Sequence, residues 1–577
     1  MHRPEIIVGV GGVLGHDSNA AVLVDGRVAA ASQEERYSRQ KHDGAFPEQA
    51  LRDCLAIAGC AVADVDVCVF ADKPMQELLA THTDRPSNWL TWQMGRLTPE
   101  RSFPFLSDAR RVMPHAKFQF AWHHLCHAAL AFATSPFERA AFLCVDGRGD
   151  DVNATIGVAD GRRTEIQFEL AYEHGLGMFY SLITDFLGFA WNSEYKVMGL
   201  APFGTPVFVD TLREFVRTDA NGALRFNQPR TSWTKLCKRL TDQLGMAPRR
   251  AGEEITTAHA DLAASVQRLF EEQIFRMARY AREATGEKRL LFCGGCAQNC
   301  VTAGKLQMLG IFSEVFTSPA AGDMGTGLGA ALLYRQLSDR NPSGKIDVHH
   351  MHLGSSPGEI PREGARFRVA HGGDIVEATA RLLADGAIVG WVQGRMEYGA
   401  RALGARSILA DPRDPDMQAR INLETKGRES FRPFAPAILA DDVDKWFDTT
   451  DRSDYMQRVA WMKPEHRYAT PDKFPDWRER LSYARCAVPA VIHVDYSARL
   501  QTVDHRHAAF HRLLTQFKRL TGVPMLINTS FNLAGEPIVR TAADAWRCFA
   551  RTRMDYLVID DVLLRHPDSK VTDHRAW

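Results

Sequence analysis

Apolar and polar positions divide this chain into strands, turns and long helices. Ile6–Val10 is apolar, Ala20–Val24 is apolar again, and Asp25-Gly26 marks a turn before Val28–Ala31, so the chain opens as a β-meander. The loop between the first two strands, VLGHDSN, is polar and stands where side chains can face a ligand. A second strand, Ala140–Val145, runs into DGRGDD and then NATIGVAD, which reads as another meander. A third, Arg289–Phe292, ends in CGGCAQNC and passes into a helix-like stretch. The glycine-rich turn SPAAGDMGTGLGAALLY (318–334) continues as a helix of small residues. Such turns expose backbone N–H groups and helix N-termini to anions. Their alternation with long helical stretches such as Ala258–Ala284 predicts an α/β nucleotide-binding domain.

Around 337–362 the pattern turns polar and rich in Gly, Pro and Ser, which predicts a linker. Beyond it, a helix over Ile375–Leu383 and a strand over Ala387–Val392 open a second region, 363–577, set against a first of 1–350. A chain of 577 residues is long enough for two to four domains with ample cores. Its 70 basic and 70 acidic residues balance, so nothing demands a nucleic acid or an anionic membrane as partner. The start, MHRPEIIVGVGG, lacks a signal-peptide pattern, and no apolar run reaches about 18 residues. The 11 scattered cysteines suit free thiols in a reducing cytoplasm better than a disulfide framework.

Several stretches carry chemistry. In AWHHLCHAALAF, His123 and His127 share one helical face, with Cβ atoms about 6 Å apart, as a chelating pair requires. His124 points about 100° away. The plainer alternative is a pair of hydrogen-bonded core histidines. Asp146 ends a strand just after this helix and Asp323 lies in a glycine turn. Together they would complete a His2Asp2 set suited to Fe(II), Mn(II) or Zn(II), although each aspartate alone also reads as a turn residue or cap. CGGCAQNC has no fourth cysteine nearby, and its glycines suit close backbone approach to a nucleotide better than a zinc or iron–sulfur site. Asn299 is a candidate for phosphate or ribose. In GRMEYGARALGARSILADPRDP and NLETKGRESFRPFAP, Arg395, Arg401, Arg406, Lys426, Arg428 and Arg432 lie among Ala, Leu and Phe, a pattern suited to a buried oxyanion site. NTSFN follows an apolar strand and offers short polar groups at its end.

Taken in order, GHDSNAAVLVDGRV, EERYSRQKHD, HHLCHAA, VDGRGD, EYKVMGLAPFG, GGCAQNC, SPAAGDMGTGLGAA, EYGARALGARSILADPR, KGRESFRPFAP, ARLQTV and NTSFNLAGEPIV span most of the chain. In these stretches the sequence resembles the O-carbamoyltransferases of the nodulation-factor and antibiotic type. The resemblance implies an N-terminal actin/Hsp70-like domain, similar to the threonylcarbamoyl transferases, and a C-terminal α+β YrdC-like domain, with the last segment free to pack back on the first. It implies that carbamoyl phosphate and ATP, with Mg2+, form carbamoyl adenylate in the second domain. The adenylate then moves through a closed passage, and the carbamoyl group is transferred to a hydroxyl of a small natural product in the first, as in antibiotic biosynthesis and secondary metabolism. His123, His127, Asp146 and Asp323 would hold iron(II). His16 would be the general base, with Lys41 nearby. Arg401, Lys426, Arg428, Arg432, Arg499, Asn528 and Ser530, with Gly295, Asn299 and Gly325, would bind carbamoyl phosphate and nucleotide. A cytoplasmic homodimer is also implied.

Three positions depart from the family pattern: Tyr496 in place of glycine, Ala303 in place of asparagine, and Cys296 in place of an aliphatic residue. Tyr496 is expected to alter the second-domain pocket. The segment 72–105, with Trp89 and Trp92, is a candidate cover for the acceptor site. Two other readings compete. A tRNA-modifying threonylcarbamoyl transferase would need a basic face, which the neutral net charge disfavours. A non-catalytic actin-like ATP-binding regulator would need neither the histidine pair nor the arginines.

Overall fold

The computed structural model describes residues 3–73, 103–171, 175–219, 224–226, 233–338, 345–346, 351–369, 373–471, 474 and 476–569. Trp89 and Trp92 lie outside the described residues. The chain divides into two compact units, residues 1–38 with 42–348, and residues 39–41 with 349–577.

The first unit holds two five-stranded sheets built on one plan. In the first sheet, β1 (Ile6–Gly11), β2 (Asn19–Val24) and β3 (Arg27–Gln33) form an antiparallel meander. Strands β4 (Val67–Phe70) and β5 (Lys117–Phe120) extend it in parallel, in the order β3-β2-β1-β4-β5. Helix α1 (His123–Thr134) follows. The second sheet repeats the plan: β6 (Arg139–Gly149), β7 (Val152–Asp160) and β8 (Thr164–Ala171) form the meander. After helix α2 (Leu176–Phe186), the small hairpin β9 (Val216–Thr218) and β10 (Leu224–Phe226), and helix α3 (Thr257–Thr285), strands β11 (Arg289–Cys293) and β12 (Glu314–Phe316) extend it in parallel. The order β12-β11-β6-β7-β8 mirrors that of the first sheet, a duplication consistent with the actin-like first domain expected from the sequence. The last helix, α4 (Thr326–Leu337), packs against α1 and β1. Its small residues permit that approach: a Cβ on Gly329 would lie 2.1 Å from the Cys126 carbonyl oxygen of α1.

The second unit is α+β. Its strands are β13 (Val389–Val392), β14 (Arg406–Ala410), β15 (Ala435–Leu439), β16 (Arg458–Trp461), β17 (Ser497–Val503), β18 (Met525–Ser530), β19 (Tyr556–Ile559) and β20 (Val562–Arg565). They form one mixed sheet in the order β16-β17-β15-β18-β14-β13-β19-β20, so the last strands close an edge of this unit. Helices α5 (Ile375–Ala384) and α6 (Ala508–Thr521) pack on each other. Trp391, Phe510, Leu514, Phe517 and Phe531 belong to one buried core. The strands are nearly continuous apolar runs, as burial within a large sheet requires.

Among the described residues of the polar segment 337–362, several are anchored by hydrogen bonds. Lys345 Nζ donates to the Phe132 carbonyl at 2.6 Å, at the end of α1. Further on, Arg395 donates to the carbonyls of Leu353 and Gly354 at 2.5 and 2.9 Å, and Tyr398 N–H to that of Met351 at 2.8 Å. Composition reads as linker here because the side chains are polar, while the anchoring runs through backbone carbonyls that composition does not report. Among the described residues no helix is long and apolar enough to cross a membrane. None of the eleven cysteines forms a disulfide. Cys293 points to the Leu143 carbonyl and Cys300 to the Met198 sulfur.

Candidate active site and metal centre

Helix α1 turns His123 and His127 inward from its first turn, and both are buried. Asp150 caps the helix by accepting from the His123 N–H at 2.9 Å, and also holds the Lys73 N–H at 2.7 Å. His123 Nδ1 meets Asp72 Oδ1 at 2.8 Å, which directs Nε2 at the site. The two Nε2 atoms come within 3.0 Å of each other. Asp146, in β6, brings Oδ2 to 3.2 Å from His127 Nε2 and 4.0 Å from His123 Nε2. Asp323, in the turn before α4, brings Oδ1 to 3.6 and 3.5 Å from the same two atoms. Ligands at about 2.1 Å from one ion stand about 3.0–3.4 Å apart, so the 3.0 and 3.2 Å spacings match a shared cation, while the 3.5, 3.6 and 4.0 Å spacings are wider. All four ligand atoms lie within 4.8 Å of one another.

The electrostatics fit the same occupant. Burial, the largest influence on both imidazoles, works against their charge. Hydrogen bonds to Asp323 and Asp72 overcome it at His123, whose pKa rises well above the usual value. Asp146 and Asp323 overcome it at His127, raising it to about 9. Burial likewise works against the two carboxylates, and the same histidines hold both below the carboxylate range. The two carboxylates thus draw positive charge into this set. A divalent cation supplying that charge leaves the buried set neutral, with both imidazoles as lone-pair donors.

Neighbouring groups hold this centre in place. Asp146 Oδ2 accepts from the Gly295 N–H at 2.9 Å and its Oδ1 from the Gly147 N–H at 2.7 Å. Asn19 donates to the Asp323 carbonyl and accepts from the Gly327 N–H, both at 2.9 Å, fixing the Asp323 turn to β2. A Cβ on Gly149 would stand 2.6 Å from the rings of His123 and His124, so only glycine fits there. His124 turns away to Thr155 Oγ1 at 2.7 Å; burial, with positive neighbours, lowers its pKa to about 3.

His16 lies in the loop between β1 and β2. Its Nδ1 meets Asp17 Oδ2 at 2.8 Å, and the other oxygen of Asp17 meets His42 Nδ1 at 2.9 Å. Asp17 and His42 both hold left-handed backbone, φ 61° and 58°, a cost the fold accepts to build this His–Asp–His row. Burial opposes the charge of His16, but the bond to Asp17 and the carboxylates of Asp323, Asp17 and Asp146 raise its pKa to about 9. Burial also opposes the charge of Asp17, which the two histidines lower to about 2. Lys41 is counted with the second unit, and His16 with the first.

Of the remaining first-unit candidates, Gly295 gives its N–H to Asp146, and Gly325 closes the Asp323 turn. Asn299 caps the helix Cys300–Met308 through Thr302 N–H at 3.1 Å and pairs with Gln267 at 2.9 Å. Ala303 is buried within that helix.

In the second unit, Lys426 Nζ reaches the Ser530 carbonyl at 2.5 Å, Ser530 Oγ at 3.2 Å and Asn532 Oδ1 at 3.0 Å. Burial first, then the charges of Arg428 and Arg432, push its pKa well below the usual lysine value, and Lys41 adds to the effect. Arg401 rides on a loop that Glu397 shapes by accepting from the N–H groups of Leu403, Ala405 and Arg406 at 2.7, 2.6 and 3.1 Å. Asn528 donates to the Ala402 carbonyl at 3.3 Å and to Gln501 at 2.7 Å, and Arg499 lies on β17 opposite Val459. Arg406 does not join the anion set: buried, it donates to the carbonyls of Arg540, Gly394, Gln393, Ala405 and Ser355. Arg395 is likewise engaged with backbone carbonyls. Tyr496 occupies a left-handed turn at φ 64°, which explains why glycine suits that position; its ring lies under Arg467, 4.6 Å away.

The residues that sequence reasoning missed are Asp17, Asn19, Asp72, Asp150, Glu397 and Gln501. Asp17 and Asn19 stand in GHDSN, Asp150 in VDGRGD, Glu397 in EYGARALGARS and Gln501 in ARLQTV, whereas Asp72 lies in none of these stretches.

Comparison with known proteins decides the family. The carbamoyltransferase N-terminus family matches residues 6–332 and the carbamoyltransferase C-terminus family residues 380–566. The chain belongs to the carbamoyltransferases. It is 40% identical to protein sll1178 of Synechocystis over 95% of both chains. It is 36% identical to nodulation protein NolNO of Sinorhizobium fredii, over 95% of this chain and 79% of that one. It is 26% identical to the 3'-hydroxymethylcephem-O-carbamoyltransferase of Streptomyces clavuligerus, over 96% and 98%. This carbamoyltransferase therefore carries the two matched regions in its two units, the His/Asp centre in one and the cationic cluster in the other.

Proposed function

We propose that this carbamoyltransferase is an ATP-dependent O-carbamoyltransferase that makes carbamoyl adenylate from carbamoyl phosphate and ATP and carbamoylates a hydroxyl of a small natural product. The observation that carries the reading is the buried convergence of His123, His127, Asp146 and Asp323, with His16 in the field of the last two. Carbamate is a poor electrophile, and joining it to AMP supplies a good leaving group. Lys426, Arg401, Arg428, Arg432, Arg499, Asn528 and Ser530 would hold the reacting phosphates. Water takes the phosphoryl group of carbamoyl phosphate, giving inorganic phosphate and carbamate; a carbamate oxygen then attacks the α-phosphorus of ATP, and the bond to pyrophosphate breaks. In the second step the acceptor oxygen attacks the carbamoyl carbon, the bond to AMP breaks, and AMP leaves with that electron pair.

His16, with Nδ1 engaged by Asp17, would take the acceptor proton on Nε2 in its neutral form, which a cation held by Asp146 and Asp323 would favour by cancelling two of the charges that raise its pKa. His123, His127, Asp146 and Asp323 would hold a divalent cation, supplying positive charge against the adenylate phosphate; the mixed nitrogen and oxygen donor set suits Fe(II), Mn(II) or Zn(II), and the family resemblance favours iron(II). Cationic side chains and this centre both act where charge gathers on phosphate.

The test is an acceptor screen with sugars, aminoglycosides, macrolides and 3'-hydroxymethyl cephems, read by mass spectrometry. A product in which one hydroxyl hydrogen is replaced by a carbamoyl group, formed only with ATP and carbamoyl phosphate together, is the expected result. Carbamoylation without ATP would contradict the adenylate route.

A further inference from the structure

The loop that carries Lys426, Arg428 and Arg432 is organised around a residue with no assigned part. The chain enters it through a short helix, Met417–Ala419, that widens into a π-helix, Arg420–Thr425. Such wide turns are uncommon and frequently mark functional sites. The widening is closed by the Lys426 N–H donating to the Ile421 carbonyl at 2.9 Å. Gly427 then reverses the chain at φ 60°, and Arg428 N–H returns to the Asn422 carbonyl at 2.9 Å.

Asn422 sits inside this turn, fully buried. Its side-chain oxygen accepts from Arg428 Nε at 2.7 Å. Its amide nitrogen donates to the carbonyls of Ser430 and Arg432, at 3.2 and 3.0 Å. These bonds also settle which end of the amide is oxygen, because a guanidinium can only donate and a carbonyl can only accept. The guanidinium of Arg428 is thus oriented at its Nε edge by Asn422 and across its face by Phe434, 4.8 Å away. The same amide fixes the backbone from which Arg432 projects. Gln418 reaches the same two carbonyls at 3.4 and 3.3 Å, too long to replace Asn422.

We infer that Asn422 is a positioning residue that presets Arg428 and Arg432 for an incoming phosphate by joining the side chain of one to the backbone of the other. The inference rests on the reading that these arginines bind carbamoyl phosphate and nucleotide. Preorganisation matters here because three like charges crowd one loop. Without Asn422 they would move apart, and displacement of such groups by about 1 Å can cost about a hundredfold in rate.

The test is steady-state kinetics of carbamoyl-phosphate-dependent pyrophosphate release for wild type, Asn422→Ala, Asn422→Ser, Arg428→Ala, Arg432→Ala and the double variant Asn422→Ala/Arg428→Ala. Asn422→Ala is expected to raise the KM for carbamoyl phosphate by about tenfold or more, and Asn422→Ser less, with the double variant worse than Arg428→Ala by less than the full Asn422→Ala effect, since only the Arg432 part remains. If the single effects multiply in the double variant, or if both Asn422 variants keep wild-type KM while Arg428→Ala and Arg432→Ala lose it, the positioning role is overturned. If Arg428→Ala and Arg432→Ala themselves keep wild-type KM, the anion-site reading beneath it fails instead. Asn422→Ser guards against failure of the alanine variant to fold, since it keeps a small polar group in the buried turn.

Discussion

The His/Asp centre of the first unit and the cationic cluster of the second handle buried charge in opposite ways. In the first, groups of opposite charge face each other: His123 and His127 stand beside Asp146 and Asp323, and each side shifts the other toward its charged form. In the second, like charges are packed together, and Lys426 is pushed toward neutrality by burial and by Arg428 and Arg432. A set of mixed sign exchanges protons for a cation. An unbalanced cationic set gains stability when an anion arrives. The comparison suggests that one unit is built around a metal and the other around phosphate, and that the two can be disabled separately.

The largest effect should come from removing a ligand. Asp323→Ala is expected to abolish stoichiometric metal in the purified protein and to cut carbamoyl transfer by more than about a hundredfold, checked by elemental analysis and product formation. Metal content unchanged in this variant would break the comparison at its first arm. Next, Lys426→Ala should cut pyrophosphate release by about a hundredfold while leaving metal content intact. Asp72→Asn, which keeps shape but removes the carboxylate behind His123, should weaken metal affinity about ten- to a hundredfold in a competition titration with a chelator.

A smaller effect concerns pH. In the metal-free protein, protonated His16 adds stability that is complete below about 6.5 and is lost as pH rises through about 9. Asp17→Asn removes a group that raises this pKa, so the loss should move to lower pH, seen as a shifted pH dependence of thermal unfolding and of His16 modification by an imidazole-directed acylating reagent. Smallest of all, Tyr496→Gly relieves a left-handed residue, worth about 1 kcal/mol, and loses the Arg467 contact, worth about 0.5–1 kcal/mol. The melting temperature and pyrophosphate release should both stay near wild type.

Much of this contrast was legible in the sequence where a local pattern carried it. The meander β1–β3 shows as alternating apolar runs and an Asp-Gly turn, and His123 and His127 show as an i, i+4 pair. Asp146 and Asp323 stand out because a strand end and a glycine turn are where ligands gather. The supports were not legible. Asp72 is 51 residues from His123, and Asn19, although it stands in GHDSN, is 304 from Asp323; the local pattern names the partner of neither. Arg406 misled for a related reason. Its neighbours predict burial, but only the fold shows that its guanidinium is saturated by carbonyls. Roles that depend on a distant partner leave no period in the sequence.

The most direct test of the separation needs no acceptor. Purified protein is given ATP and carbamoyl phosphate, and pyrophosphate release is followed for wild type, His123→Ala and Arg432→Ala. The account predicts release that requires carbamoyl phosphate, survives in His123→Ala and is lost in Arg432→Ala. Release that His123→Ala abolishes and Arg432→Ala retains would contradict it.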